Sequence, residues 1–299
     1  MHYIGIDIGG TTIKAARVDT LGAVAESVKA ATPAESLESL IATLVDLISR
    51  LQANARISAV GVGIPGLRNT RTGVIQTSPH IPCIRNINLQ GLLQRKLPIP
   101  VLTENDANAG AYGEWRCGAG KGLQHIAFIT LGTGLGCGLI LSDGLFRGAS
   151  GYAGELGHTV VEPAGRQCDC GSTGCIETRI SGPGIVQTAR EKGVSGDIST
   201  SESIWAAAMQ GNEGAKAVFA ETGHYLGMVC ANLINLLNPQ AIVIGGGVMA
   251  SGDLLLNAAR EEVRRRAFPA SAQDCPIVQS HLWPDAGVIG AAMLARDNS

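Results

Sequence analysis

No apolar run in the chain approaches the roughly 20 residues that a membrane-spanning helix needs. The N-terminus has no basic stretch followed by an apolar one, so neither a spanning segment nor a secretion signal is expected. Charge is scarce too. Charged residues are 16% of the chain and the formal net charge is −2, which argues against broad electrostatic binding to nucleic acid or to an anionic membrane. Aromatic residues are only 4%, whereas glycine reaches 40 of 299 residues, so tight turns and close backbone approaches outnumber large side-chain anchors. Eight cysteines without a secretion signal point to a reducing, cytoplasmic setting. The hydrophobic content of 45% is enough for a sizeable core, and the length suits two domains of ordinary size.

The apolar stretch 3–8 reads as a strand, Gly9-Gly10-Thr11-Thr12 as a tight turn and 13–18 as a return strand. A first helix is expected from the capping box Thr32-Pro33-Ala34-Glu35, with Leu37, Leu40, Ile41, Leu44, Val45, Leu47, Ile48 and Leu51 on its buried face. A buried strand, 58–64, ends in Pro65-Gly66, and 67–88 reads as an irregular, proline-containing excursion. A short strand, 100–103, delivers Glu104-Asn105-Asp106-Ala107-Asn108 and a helix over about 107–115. The pattern then restarts: strand 125–131, turn Gly132-Thr133-Gly134, return strand 137–141. Helices follow near 183–192, 201–210 and 215–237, then a strand, 241–244, opening on Gly245-Gly246-Gly247, and helices near 252–267 and 285–296.

Strand, Gly/Thr turn and strand therefore occur twice, and each copy is followed by a strand ending in glycine. An internal duplication is expected: an α/β fold of two similar domains, 1–108 with a C-terminal helix at about 285–299, and 109–284, facing each other across a cleft. Aligning the turns sets Asp7 against Thr130 and Gly9 against Gly132. Both turns can aim several backbone N–H groups at one point and so bind phosphate oxygens, with hydroxyls from Thr11, Thr12 and Thr133 and charge from Lys14. Neither is a Walker A loop, because no Gly-Lys-Ser/Thr opens a helix. Asp7, just before the first turn, could hold Mg²⁺ through water or hydrogen-bond the turn. Asp106, where strand gives way to helix, could accept the proton of an attacking alcohol or simply cap the helix.

The stretch 154–177 concentrates chemistry. His158, Cys168, Cys170 and Cys175 make a tetrahedral ligand set suited to Zn²⁺, with no position left for water. Gly157, Gly165, Gly171 and Gly174 allow the backbone to fold around an ion. Unrelated buried thiols or a disulfide are the alternatives, though Cys168 and Cys170 are too close for an unstrained bridge.

Taken together, Ile6-Asp-Ile-Gly-Gly-Thr-Thr12, Glu104-Asn-Asp-Ala-Asn108, Leu131-Gly-Thr-Gly-Leu-Gly136, Gly154-Glu-Leu-Gly-His158, Cys168-Asp-Cys-Gly-Ser-Thr-Gly-Cys-Ile-Glu177 and Gly245-Gly-Gly247 resemble the ROK family of sugar kinases. That family lies within the actin, hexokinase and Hsp70-like ATPase superfamily, so the resemblance implies actin/hexokinase-like (ribonuclease H-like) domains. It implies transfer of the ATP γ-phosphate to a hexose 6-hydroxyl, with glucose expected first. Fructose, mannose, allose, N-acetylglucosamine and N-acetylmannosamine are the other candidates.

The resemblance assigns Asp106 as general base, and Gly66, Asn105, Glu155, His158 and Glu177 as hexose contacts beside it. Asp7, Gly9, Gly10, Thr11, Thr12, Lys14, Gly132, Thr133, Gly134, Gly136, Gly246 and Gly247 would hold ATP with its Mg²⁺. Zn²⁺ would sit on His158, Cys168, Cys170 and Cys175 as a structural ion. Homodimers or homotetramers are implied as well. Two positions depart from the pattern: Pro82-Cys83-Ile84-Arg85 stands where Pro-Gly-Trp is common, and Cys137 stands where the second turn often has a third glycine. A sugar-responsive regulator of the same family is the alternative of another class. The first phosphate-turn strand begins at Tyr3, so the N-terminal helix-turn-helix domain of such a regulator is not expected.

Overall fold

The structure is a computed structural model that describes residues 1–299 except Asn54; the side chains of Ala250 and Ser251 are also outside the described set. In chain order, β1 (His2–Ile8), β2 (Thr12–Asp19) and β3 (Val24–Ala31) lead to α1 (Leu37–Gln52) and β4 (Ile57–Ile64). A short pair, β5 (Ile75–Thr77) and β6 (Arg85–Ile87), precedes α2 (Leu89–Gln94), β7 (Val101–Asn105) and α3 (Asp106–Cys117). Then come β8 (Ile126–Leu131), β9 (Leu135–Ile140), α4 (Glu177–Ile180), α5 (Gly182–Glu191), α6 (Ser201–Met209) and α7 (Glu213–Leu237). The chain finishes with β10 (Ala241–Gly245), α8 (Gly252–Arg266), α9 (Pro269–Asp274), β11 (Ile277–Gln279) and α10 (Ala286–Asp297).

Two compact units result. The first takes Met1–Gln124, Gly138–Gly154 and Ser280–Ser299; the second takes His125–Cys137 and Glu155–Gln279. In the first, a five-stranded sheet runs β3-β2-β1-β4-β7, with β1 antiparallel to β2 and parallel to β4. Ile4, Ile6 and Ile8 of β1 and Val60, Val62 and Ile64 of β4 are buried with Leu40, Leu44, Leu47 and Ile48 of α1. That is the helical stripe expected from sequence, each side chain worth about 1.5–3 kcal/mol when fully buried. In the second unit, a four-stranded sheet runs β11-β10-β8-β9, with β10 parallel to both β8 and β11.

Four local readings change. Helix α1 begins at Leu37 and is capped by Ser36, whose side chain accepts from the Ser39 N–H; Thr32 instead donates its hydroxyl to the Gly9 carbonyl. Strand β3, unmarked in the sequence reading, alternates exposed and half-buried residues at a sheet edge and lacks an apolar run. The excursion at 67–88 contains the β5/β6 pair. The boundary expected at 108 falls inside α3; the whole helix belongs to the first unit, where it packs on α10 and a Cβ at Gly290 would lie only 1.7 Å from the Ala109 carbonyl oxygen.

Glu114 is the pivot of that packing. Fully buried on α3, its carboxylate accepts from the Ala119 N–H (2.8 Å), the Leu282 N–H (2.9 Å) and the Ser280 hydroxyl. It thereby ties together residues on either side of 125–279, the span that contains both segments of the second unit. Replacing Glu114 by Ala would strand these donors in the interior. Urea unfolding should show a loss of about 2–4 kcal/mol, and an unchanged midpoint would mean that water replaces the carboxylate at no cost.

Candidate active site

In the first unit, β1 ends at Ile8 and the chain turns through Gly9–Thr11 into β2, with the Gly9 N–H donating to the Thr12 carbonyl (3.0 Å). Thr11 and Thr12 are exposed at this turn, as a phosphate contact requires. Lys14 is already engaged: its ammonium pairs with Asp285 and donates to the Pro284 carbonyl (3.3 Å). Asp7 sits on β1 opposite Lys14 of β2 and Gly63 of β4. Burial, then repulsion from Asp106, raises its carboxyl to about 7, and Lys14 pulls the other way. The two carboxylates therefore share one neighbourhood.

The strand-to-helix junction settles one question. Asn105, not Asp106, caps α3: the Asn105 side-chain oxygen accepts from the Asn108 N–H (3.0 Å), and Asp106 is the first helical residue. Its carboxylate is thus free of capping duty. Burial raises its pKa above the ordinary carboxylate value, against opposing hydrogen bonds from the Ala107 N–H and its own N–H and the nearby His80. Asn105 also donates its amide to the Gly66 carbonyl (3.4 Å). Gly66 has φ +125°, and a Cβ there would lie 2.2 Å from the Thr77 carbonyl oxygen, so only glycine fits beneath the excursion.

Two residues that sequence reasoning did not single out complete this half. Glu104 is buried, accepts from Arg147 Nε (2.6 Å), the Asn105 N–H (3.0 Å) and the Asn108 amide (3.2 Å), and so braces the Asn105-Asp106 junction. Its place in the Glu104–Asn108 motif was the available signal. His80, on the excursion, packs over Gly10, where a Cβ would lie 2.9 Å from its own. Nothing local in the sequence marks it, because the contact spans the distance from turn to excursion.

In the second unit, the turn at 132–134 joins β8 to β9 and is held by Gly132 N–H to Gly134 O (3.0 Å) and Gly182 N–H to Gly132 O (2.8 Å). Thr133 is exposed there. The Glu177 carboxylate accepts from the Leu135 N–H (2.7 Å), so a candidate sugar ligand touches the second turn directly. Gly136 and Cys137 continue β9; Cys137 is buried in extended backbone, and burial pushes its thiol up to about 12. Strand β10 ends at Gly245 and runs into Gly246-Gly247, with Gly246 against the Leu131 backbone at the end of β8.

The same unit gathers His158, Cys168, Cys170 and Cys175, whose ligand atoms all lie within 4.8 Å of one another. His158 Nδ1 is 3.7 Å from Cys168 Sγ, and Cys170 Sγ is 3.6 Å from Cys175 Sγ. Zn–S bonds of about 2.3 Å at tetrahedral angles place sulfurs about 3.8 Å apart, so the spacing fits a tetrahedral ion. All four residues are predicted ligands, and a divalent cation would cancel the repulsion among three thiolates. The other ring nitrogen, His158 Nε2, faces Glu155 at 4.0 Å. One ring nitrogen thus serves the cluster and the other is left with Glu155.

Two glycine-rich strand turns, a glycine stretch at the end of a parallel strand and a carboxylate free of capping at a helix start are the features of an α/β protein suited to phosphate chemistry. The chain belongs to the ROK family, whose model matches residues 3–298. It is 35% identical to a glucokinase of Halalkalibacterium halodurans, over 98% of this chain and 94% of that one. It is 35% identical, with a TM-score of 0.89, to the crystal structure of a ROK family glucokinase from Streptomyces griseus in complex with glucose and AMPPNP, covering 99% of this chain and 100% of that one. A xylose repressor of Caldicellulosiruptor bescii is also similar, 32% identical over 98% of this chain and 78% of the repressor. Among the described residues, no helix is long and apolar enough to cross a membrane.

Proposed function

We propose that this protein is an ATP-dependent hexose kinase that transfers the γ-phosphoryl group of ATP to the 6-hydroxyl of glucose. The observation that carries the reading is Asp106. Its carboxylate is relieved of capping by Asn105, lies beside the first glycine turn's strand and has its pKa raised by burial, which strengthens it as a proton acceptor. The likeness to the glucose- and AMPPNP-bound enzyme of S. griseus supports it.

In this reading Gly66, Asn105, Glu155, His158 and Glu177 hold the hexose with its 6-hydroxyl toward Asp106. Gly9, Gly10, Thr11, Thr12, Gly132, Thr133, Gly134 and Gly136 cradle the triphosphate, and Gly246 and Gly247 leave room for the adenosine. Lys14, held by Asp285, acts by offsetting the charge of Asp7. Asp106 takes the hydroxyl proton as the oxygen attacks phosphorus in line. Mg²⁺ travels with ATP, neutralises its charge and would favour the ionised form of Asp7. Zn²⁺ on the His158–Cys175 cluster would supply no Lewis acid chemistry, since its ligand set is full; it would fix the His158 ring.

The two sheets also support the expected duplication. Asp7 pairs with Gly63 in one and Thr130 with Gly245 in the other, the alignment that the two turns imply. Assembly as a homodimer or homotetramer and a cytoplasmic location belong to the same proposal.

The test is a coupled ATP-consumption assay over a hexose panel. Glucose should give the highest kcat/KM. A higher value for fructose, mannose or an N-acetylated hexose would replace the substrate, and no turnover with any hexose would favour the non-catalytic regulator. The xylose repressor likeness motivates that second reading.

A further inference from the structure

Arg166 lies two residues before the first cysteine of the cluster, and its guanidinium is saturated. Nε and Nη2 grip the Glu191 carboxylate as a fork, with Nε at 3.1 Å. Nη2 also donates to the Thr188 hydroxyl (2.8 Å), and Nη1 donates to the carbonyls of Gly184 (3.0 Å) and Thr178. A guanidinium has five N–H donors, and here five acceptors meet them. The side chain is 14% exposed. Its main-chain carbonyl meanwhile accepts from the Gly174 N–H (2.8 Å), which closes the cysteine loop. Arg166 thus joins the loop to α4 at Thr178, and to both ends of α5.

Thr178 follows Glu177, whose carboxylate receives the Leu135 N–H at the second glycine turn. We propose that Arg166 is a positioning residue. By holding α4 and α5 it fixes the backbone that presents Glu177, in parallel with the metal cluster and not through it. The metal would set the cysteine side of the loop; Arg166 sets the helix side. A lysine cannot replace it, because a point ammonium with three donors does not reach acceptors arranged around a planar fork.

The experiment uses full-length protein carrying Arg166→Lys or Arg166→Ala, with zinc content measured by mass spectrometry and amide exchange followed across residues 132–137. Both variants should retain the zinc content of the wild type while the Leu135 amide loses protection, because its acceptor is no longer held. On the sugar-binding role proposed above for Glu177, KM for glucose should rise roughly tenfold or more, with a smaller change in kcat, and Lys should rescue no better than Ala. Unchanged Leu135 protection overturns the inference, as does loss of zinc in step with Arg166, which would put its action through the cluster. The exchange readout needs no substrate. Lost Leu135 protection in the variants, with the wild-type protein inactive on every hexose, would uphold the clamp and sink the kinase reading instead. If both variants fail to fold, Glu191→Gln, which weakens two of the five bonds, carries the same readouts: reduced Leu135 protection supports the inference and native protection overturns it.

Discussion

Asp106→Asn should lower kcat by roughly 10²- to 10⁴-fold, the usual worth of a general base, and leave glucose binding close to that of the wild type. Asparagine matches aspartate in size and keeps a hydrogen-bonding oxygen for the sugar hydroxyl, but it cannot take the proton. The local structure should survive, because the cap of α3 belongs to Asn105 and the brace beneath it to Glu104. Rapid-mix kinetics with a separate measurement of glucose binding would separate these effects. Turnover near that of the wild type would remove Asp106 from the mechanism.

The same variant makes a pH prediction of definite sign. Burial holds the Asp106 pKa above its unfolded value. Below the unfolded pKa both states are protonated and the group is neutral toward stability. As pH rises from there through the raised native value, the unfolded chain releases its proton first and the fold loses stability. Asp106→Asn abolishes that loss, so its melting temperature at pH 7.5 should equal or exceed that of the wild type, with the gap closing in acid. The acidic limb of the wild-type kcat/KM profile should likewise sit above the range of an ordinary carboxylate. A variant both inactive and destabilised at neutral pH would argue that Asp106 is structural.

Much of this was legible in sequence because it is local. The glycine turns, the apolar strands that feed them and the cysteine spacing are each contained in a short window, and the structure keeps all of them. The stripe of α1 was readable for the same reason, although its start was not: Thr32 offers capping chemistry, but its hydroxyl is drawn to the Gly9 carbonyl, a partner 23 residues away, and Ser36 takes the cap. The sequence offered Asp106 as the cap of α3; backbone conformation gives that place to Asn105, which is extended where Asp106 is helical. What stayed illegible was bracing across the chain. Glu114 meets Leu282 and Arg166 meets Glu191 through contacts that no periodicity encodes. His80 over Gly10 belongs with them.

Removing one thiolate from the cluster should act at a distance on sugar affinity. In Cys168→Ser or Cys175→Ser the loop loses a buried member of the cluster, and with it the ion that would orient the His158 ring. In the proposed reading, Nε2 and Glu155 would then no longer meet the hexose at a set angle. One misplaced hydrogen bond to a charged group costs about 1.5–3 kcal/mol, so KM for glucose should rise roughly ten- to 150-fold, while KM for ATP changes little. Loss of the ion should also lower the melting temperature by about 5–10 °C. Cys170 is exposed where Cys168 and Cys175 are buried. Cys170→Ser should therefore release the ion with a smaller loss of stability, and stripping wild-type protein with a chelator should reproduce the rise in KM without any mutation. A zinc-free protein with native glucose affinity and native stability would show that the cluster neither orients the pocket nor staples the loop.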